Sequence, residues 1–335
     1  MSNGTNEECF SWNSKMRSLN NALSKAMPLL TPIGVVLGIV LGKNVAWMKP
    51  AVTPLFGVLT FSGALSISAK DFKGTIKKPK FIICYVICSL IAMPLLTYAL
   101  SLLFFPSSMD LRSGFVAVRA IPTAVVGTVW SSIYSGNMAI SIALVTLDTL
   151  IAPFTTPFII KLLAKTTSPV DASGMLSSLI IMVLLPSILG MICNQIKGGV
   201  VRIAIHPSLR PISKLMLPFV IMVSSSSVSE KLIEGLSSRY ILIGLFALFL
   251  CSLGYCVSLF GSRLFKFNEK DTVSMTFAIA MRNTTAALVI AIDYMPPDAA
   301  LPVIFCIVFQ QMTGSIVASF VFGHKKEEAA MRKGV

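Results

Sequence analysis

Three ionisable side chains, Arg119, Asp148 and Arg282, interrupt the long apolar stretches of this sequence. A charge near the centre of a bilayer costs at least about 2.5–3.5 kcal/mol, so such residues usually serve a function. Arg282 stands beside Asn283 and Thr284, where we expect the helix to unwind. Freed backbone N–H groups and a helix N-terminus favour an anion there, and a guanidinium binds a carboxylate through two hydrogen bonds. The motif therefore predicts an anion-binding site at Arg282.

The role of Arg282 depends on its partners. In the alternative to anion binding, Arg282 only pairs with Asp148 or caps backbone carbonyls. Asp148 follows Ser141 by seven residues, which places both on one helical face. Three roles remain open for Asp148: partner of Arg282 or Arg119, protonatable coupling group, or structural counter-ion. Arg119 lies nearer the outer surface, where we expect its side chain to reach towards the lipid headgroups.

Neutral polar side chains accompany these charges. A lone Ser or Thr in a membrane helix usually hydrogen-bonds to its own backbone carbonyls, whereas two adjacent amides at mid-span need partners. The predicted substrate-binding residues are Arg282, Asn283, Thr284, Thr123, Thr128, Gln310 and Gln311, and the predicted coupling or charged residues are Asp148, Arg119 and Ser141.

The composition indicates a membrane protein. Of 335 residues, 55% are hydrophobic and 13% are charged, against about 25% charged residues in a soluble domain. The sequence has no nucleophile–base pair, paired carboxylates, Cys/His cluster or glycine-rich phosphate loop, so we expect neither an enzyme nor a cofactor or metal site. The net charge of +14 comes from short basic loops, which the positive-inside rule explains without nucleic-acid binding.

Ten apolar segments are long enough to cross a bilayer core of about 30 Å. They are residues 29–47, 51–69, 81–105, 114–134, 138–163, 174–196, 213–229, 240–262, 272–293 and 299–322. Most of the 28 Lys and Arg residues fall on one side of these spans. We therefore expect a multi-pass protein of the inner or plasma membrane with both termini in the cytoplasm. Residues 13–27 are predicted to form a short interfacial helix.

The spans divide into two groups of five, and because five is odd the groups must be inverted relative to each other. The predicted fold is an all-α membrane protein of ten transmembrane helices in two inverted five-helix repeats. The predicted domains are a cytoplasmic N-terminal segment with the interfacial helix (1–28), a first repeat (29–163), a second repeat (174–322) and a cytoplasmic tail (323–335). The fourth span of each group combines an arginine with helix-disfavouring residues, which is typical of broken transporter helices.

Several motifs, taken in order, resemble the bile acid/sodium symporter family over nearly the whole chain. They are Phe61-Ser62-Gly63-Ala64-Leu65, Asp71-Phe72, Ala92-Met93-Pro94, Pro122-Thr123, Ser135-Gly136-Asn137, Leu150-Ile151-Ala152-Pro153, Thr156-Pro157, Leu184-Leu185-Pro186, Met281-Arg282-Asn283 and Thr313-Gly314-Ser315. The resemblance, to a bacterial-type member, implies a panel domain and a core domain, broken and crossing fourth and ninth helices, and transport by alternating access. A more distant resemblance links the chain to arsenite exporters, but Thr123 stands where these carry a cysteine, so arsenite is not expected as a substrate.

The sequence departs from the family at the positions that the resemblance assigns to sodium. A family glutamate corresponds to Ala278 and a family glutamine to Arg282. The resemblance also implies that a family Ser-Asn pair becomes Gly127-Thr128, a threonine becomes Val145 and a glutamine becomes Ser89. Ser141 is retained. A fixed guanidinium repels a nearby cation, and more strongly at low dielectric. We therefore predict that the family's sodium sites are lost and that Arg282 acts as a fixed cation. Uniport, exchange and proton coupling through Asp148 all remain open.

The predicted function is secondary transport of small organic anions. Pantoate-like or keto-acid-like carboxylates are preferred, with bile-acid-like sterol conjugates as a further class. Gln310-Gln311 replaces a His-Asn pair of the family's tenth helix, so the substrate's identity does not transfer from the family. The expected partners are the substrate anion and the lipid bilayer, not nucleic acid. Two alternatives are a sodium-coupled organic anion symporter with altered sites and a channel or receptor of the same fold.

Overall fold

The computed structural model describes residues 3–67, 79–164, 166, 169–230 and 238–323, and these residues are almost entirely helical. No β-strand occurs within these ranges. The main helices are α1 (Asn3–Leu41), α2 (Val52–Ala64), α3 (Pro79–Phe104), α4 (Met109–Ala120), α5 (Val126–Ile133), α6 (Met138–Leu163), α7 (Ala172–Gln195), α8 (Val200–Ser225), α9 (Ser238–Leu264), α10 (Glu269–Ala280), α11 (Thr284–Tyr294) and α12 (Pro297–Phe322). Shorter helical turns cover Lys43–Ala46, Lys49–Ala51, Ile196–Gly199 and Ser226–Val228.

Within the described residues, five helices are long and apolar enough to cross a membrane, namely α3, α6, α7, α9 and α12. Two shorter apolar helical stretches are Leu29–Leu41, at the end of α1, and α11. The all-α prediction is confirmed for the part of the chain that the structure describes. The arrangement of ten spans in two inverted repeats remains a prediction.

The helices can be compared with two features of the predicted organisation. α1 runs without interruption through residues 28 and 29, so the predicted interfacial segment and the first predicted span form one helix. The fourth and ninth predicted spans are each divided into two helices. The predicted tail from residue 324 onward and the basic loop at 70–78 lie outside the described residues.

The first compact unit combines Met1–Ala69 with Ile180–Lys231, and so takes segments from both halves of the sequence. Within it α1 lies along α8. Gly34 brings their backbones together, because a Cβ at this position would lie only 2.6 Å from the Pro218 carbonyl oxygen. Small residues allow such close packing between helices in membranes. Asn194 connects α7 to the end of α2 by donating a hydrogen bond to the Ile67 carbonyl at 2.5 Å.

The second compact unit combines Lys70–Leu179 with Leu232–Val335 and contains every predicted site residue. Its two interrupted helix pairs are α4 with α5 and α10 with α11. Pro122 ends α4, because proline lacks the N–H that would continue the helix and forces Ile121 into an extended conformation (φ −65°, ψ 152°). Asn283 begins α11, since its side-chain oxygen accepts a hydrogen bond from the Ala286 N–H at 3.2 Å.

A wide π-helical turn over Val86–Ala92 interrupts α3 within the same unit. Pro94 lies two residues after this turn and cannot donate the backbone hydrogen bond that a regular α-helical turn requires. Such turns occur often at functional sites because they reorient the side chains of one helical turn. This turn presents Ser89, one of the residues that contact Arg282.

Candidate substrate and coupling site

The two helix interruptions pair with each other through their backbones. Thr123 and Arg282 form an isolated antiparallel bridge. Two hydrogen bonds flank it, from the Ala124 N–H to the Met281 carbonyl (2.9 Å) and from the Asn283 N–H to the Pro122 carbonyl (2.8 Å). These bonds satisfy backbone groups that the broken helices leave free, which is a strict requirement where water is absent. The pairing therefore brings the two predicted breaks to one point, which we call the crossing.

The guanidinium of Arg282 extends from the crossing into the protein, and its side chain is only 1% exposed. Nη1 donates to the Ser89 hydroxyl at 2.6 Å and to the Tyr85 hydroxyl at 2.9 Å, and Nη2 donates to the Ile121 carbonyl. Nε, which is also buried, has no hydrogen-bond partner among the described residues. Arg282 is thus a permanent positive charge, and its guanidinium donates three hydrogen bonds to described residues.

Asp148 of α6 supplies the negative charge that faces Arg282. Its Oδ2 lies 3.4 Å from Arg282 Nη1, and both side chains are 1% exposed. The same oxygen accepts hydrogen bonds from the Tyr85 hydroxyl and from the Thr123 N–H, each at 2.6 Å. Within the described part of the chain, the buried Oδ1 has no partner. Asp148 therefore contacts both the guanidinium and the backbone of the crossing.

Asp148, Tyr85 and Arg282 form a buried group with no net charge when the carboxyl is ionised. Tyr85 joins the two charges, because its hydroxyl donates to Asp148 and accepts from Arg282. Removing two ions from water is costly, and a buried pair offsets this cost only when the remaining hydrogen bonds are made. The prediction that Asp148 is a partner of Arg282 or Arg119 is consistent with this geometry for Arg282.

Arg119 occupies a different place from the one expected. Instead of reaching towards headgroups, its side chain is 1% exposed. It donates to the Leu250 carbonyl at 2.7 Å and to the Ala280 carbonyl at 3.3 Å. The expectation of a lipid-facing position was wrong, because α4 packs against other helices of the unit on all sides of its last turn. Arg119 connects α4 to α9 and α10, and it does not contact Asp148.

Gln310 of α12 is fully engaged with the backbone of the crossing. Its Oε1 accepts from the Arg282 N–H at 2.9 Å, and its Nε2 donates to the Arg282 carbonyl at 2.8 Å. An amide side chain that meets one residue's N–H and C=O in this way replaces the helical hydrogen bonds lost at the break. The geometry favours a structural role for Gln310 over the predicted contact with substrate.

The remaining predicted substrate residues lie close to the crossing. The Thr123 hydroxyl is a hydrogen-bond donor to two carbonyls, that of Ala278 at 2.7 Å and that of Met281 at 2.8 Å. Thr128 donates at 2.7 Å to the carbonyl of Val125, the residue just before its own helix, as expected for a lone threonine. The others are Asn283 and Thr284, which begin α11, and Gln311, which accepts from the Trp130 Nε1–H at 3.2 Å.

Ser141 lies apart from the Asp148 group although both residues belong to α6. Its hydroxyl donates to Ser131 at 2.8 Å, Ser131 and Ser274 share a hydrogen bond of 2.9 Å, and Ser274 donates to the Asn137 carbonyl at 2.9 Å. This chain of hydroxyls, which we call the serine chain, joins α5, α6 and α10. The structure therefore does not place Ser141 with the other predicted coupling residues.

Tyr85 is the site residue that the sequence interpretation missed. It precedes Ser89 by four residues, and this spacing places both side chains on one face of α3. A tyrosine within an apolar span needs a partner for its hydroxyl, which is a signal that could have identified it. No group of three or more His, Cys, Asp and Glu residues suited to a metal ion occurs in the described ranges.

Comparison with known proteins gives consistent matches along the chain. The model of the family described as "Sodium Bile acid symporter family" matches residues 53–235. The uncharacterized protein YbaS of Bacillus subtilis (strain 168) is 30% identical over 290 residues, which cover 87% of this chain and 94% of the relative. The uncharacterized sodium-dependent transporter YocS of the same organism is 26% identical, over 86% of this chain and 88% of the relative. The probable sodium/metabolite cotransporter BASS2 of Oryza sativa subsp. japonica is 26% identical, over 90% and 72%.

Proposed function

The chain belongs to the sodium bile acid symporter family, a family of transporters rather than enzymes, and we propose that it carries small organic anions with Arg282 as a built-in cation. Membership of this family and the five long apolar helices make it a membrane transporter. Our proposal adds the substrate class and the loss of the family's sodium sites. It also places the protein in the inner or plasma membrane with both termini cytoplasmic.

The observation that carries the proposal is the buried guanidinium at the crossing. Arg282 holds one positive charge beside Ser89 and the Ile121 carbonyl, and the resemblance assigns a sodium ligand to the position of Arg282 and another to that of Ser89. A sodium ion a few ångströms from a guanidinium meets a repulsion that the low dielectric of the site strengthens. The tethered charge thus supplies the attraction for an anion without a dissociable ion.

Carboxylates fit this environment better than neutral solutes. The Nε–H of Arg282, which has no partner in the described part of the chain, and the first turn of α11 at Asn283 and Thr284 both favour negative charge. Thr128 and the partly exposed amide of Gln311 add neutral polar groups. We propose a pantoate-like or keto-acid-like carboxylate as the substrate, with bile-acid-like carboxylates as a further class, moved by alternating access.

A second candidate is a sodium-coupled symporter with altered sites. The printed names of YocS and BASS2 describe a sodium-dependent transporter and a probable sodium/metabolite cotransporter. The serine chain supports this candidate, because Ser131, Ser141 and Ser274 gather three hydroxyl oxygens near the Asn137 carbonyl. Oxygen ligands of this kind suit hard cations. Sodium dependence therefore decides between the two candidates.

The experiment is uptake of labelled pantoate, pyruvate and glycocholate into proteoliposomes, with and without sodium. We expect saturable uptake that sodium does not stimulate, and loss of that uptake in Arg282→Gln. Arg239→Gln is the matched control, because it removes the same charge from a half-exposed surface pair with Asp298. Strong sodium stimulation of the wild type would favour the second candidate. Undiminished sodium-independent uptake in Arg282→Gln would contradict the role assigned to the guanidinium.

A further inference from the structure

We propose that Asp148 takes up one proton for each carboxylate that the protein binds, so that anion and proton cross the membrane together. This inference rests on the proposed function, because it starts from an anion bound near Arg282. It goes further by assigning the coupling ion and the atom that holds it, the Oδ1 oxygen of Asp148.

The first step of the reasoning is the charge of the group. Without substrate, the ionised Asp148 and Arg282 sum to zero, and both side chains are almost completely buried. A bound carboxylate would bring the buried total to minus one. An uncompensated charge in a membrane interior is strongly unfavourable, and ionisable groups change protonation to avoid it. Uptake of one proton returns the total to zero.

The second step identifies which group can accept that proton. Arg282 stays protonated in proteins, and the Tyr85 hydroxyl already holds its proton, which it donates to Asp148. Three other buried charged groups lie on helices packed against α6, and each has partners elsewhere. Arg112 of α4 donates to the Pro106 carbonyl at 2.9 Å. Arg119 of α4 donates to two backbone carbonyls, and Asp271 in the first turn of α10 accepts from the side chains of Asn137 and Asn268.

The third step concerns the geometry of the carboxyl. Oδ2 holds all the contacts of Asp148, from Tyr85, from the Thr123 N–H and from Arg282, whereas Oδ1 is buried without a partner among the described residues. A proton on Oδ1 leaves Oδ2 free to accept the same hydrogen bonds as a carbonyl oxygen. Asp148 can therefore become neutral without losing a hydrogen-bond partner. Its attraction to Arg282 then falls, and this frees the guanidinium for the substrate.

The fourth step links the proton to the moving parts. The Thr123 N–H, which donates a hydrogen bond to Asp148, belongs to the extended segment of the crossing. Hydrogen bonds to a charged acceptor are roughly twice as strong as those to a neutral one. Protonation of Asp148 therefore loosens the attachment between α6 and the crossing at the moment the anion binds. In the full cycle one proton and one carboxylate enter from water on one side and leave to water on the other.

The test uses the full-length protein in proteoliposomes that contain a pH-sensitive dye. With whichever carboxylate of the pantoate, pyruvate and glycocholate panel is transported, we expect uptake to acidify the vesicle interior by one proton per anion. Protein-free vesicles correct for passive diffusion of the neutral acid. In Asp148→Asn, whose amide imitates the protonated acid, we expect carboxylate exchange to persist without acidification. Asp171→Asn, the same change in the exposed segment before α7, should behave as wild type.

Binding provides a second readout. In wild type, affinity should fall about tenfold per pH unit wherever Asp148 is ionised in the empty protein. These substrates stay ionised between about pH 5.5 and pH 8, so their own titration does not contribute. In Asp148→Asn the affinity should change less than about twofold over this range.

The outcomes separate this inference from the proposed function. Carboxylate uptake by wild type without acidification would overturn the proton coupling and leave the anion carrier intact. Undiminished acidification by Asp148→Asn would overturn the assignment to Asp148. If Asp148→Asn does not fold, the wild-type proton measurement and its pH-dependent binding decide the matter alone. Absence of binding for every carboxylate, with or without sodium, would overturn the proposed function and this inference with it.

Discussion

The pairing of Arg282 with Asp148 predicts a large coupling energy between the two residues. Two unit charges 3.4 Å apart attract each other by about 5 kcal/mol at an effective dielectric of about 20. Arg282→Gln leaves the Asp148 charge buried without its cation, and Asp148→Asn leaves Arg282 without its anion. Each single change should therefore destabilise the protein by about 3–5 kcal/mol. The double variant removes both charges and should cost less than the sum of the two.

This energy converts into a measurable melting shift. At about 2 °C per kcal/mol for a chain of this size, each single variant should melt roughly 6–10 °C below wild type. The double variant should melt no lower than the less stable single variant. The exposed pair Arg239 and Asp298, at 3.2 Å and with side chains 50% and 28% exposed, is the matched control. The same Gln and Asn substitutions there should change stability by about 0–1 kcal/mol.

A thiol-reactive fluorescent maleimide suits the measurement in detergent, because unfolding exposes thiols that are buried in the native protein. Among the cysteines with described side chains, Cys84, Cys88, Cys251 and Cys306 are buried, and the exposed Cys256 and partly exposed Cys193 contribute to the baseline. The pairing would be refuted if the effects of Arg282→Gln and Asp148→Asn were simply additive. A wild-type melting temperature in either single variant would refute it as well.

Two further predictions concern the crossing and the first compact unit. Gln310→Ala should destabilise the protein by about 1–3 kcal/mol, because the Arg282 N–H and carbonyl lose their partner. The control in the same thiol assay is Thr313→Ala, which removes a hydroxyl that donates within α12. An equal effect of both substitutions would contradict the role of Gln310. Burial, and then the charges of Arg210 and Arg202, lower the pKa of His206 to about 4. The folded protein therefore favours neutral His206, and the resulting stability is fully present above about pH 6.5 and is lost as pH falls towards 4. Melting curves at several pH values should show a smaller loss on acidification in His206→Gln, and an unchanged loss would exclude His206 as its source.

The sequence predicted the helical class and the two interruptions because both follow from local chemistry. Pro122 cannot continue a helix, and Asn283 is a strong N-cap residue, so each break can be recognised from its own neighbourhood. The mid-membrane charges could be recognised in the same way, since their cost in lipid makes them stand out from the apolar background.

Partner choice could not be predicted from the sequence, because it depends on contacts between distant segments. Tyr85 and Asp148 are 63 residues apart, and Arg282 reaches Tyr85 across 197 residues. Neither separation leaves a periodic signal. Arg119 shows the same limitation, since its depth along α4 suggested a lipid-facing position, whereas the carbonyls of Leu250 and Ala280 hold it inside the unit.

Replacing a dissociable cation by a tethered one changes how a carrier must work. A sodium ion brings its charge into the site with the substrate and removes it on release, so its gradient can drive transport. The Arg282 charge never leaves, and alone it would hold an anion equally on both sides of the membrane. A carrier with such a residue needs either simple equilibration or a second charge that varies during the cycle. Asp148 is buried 3.4 Å from the guanidinium, and one of its oxygens has no partner among the described residues. It has the chemistry and the position to be that variable charge.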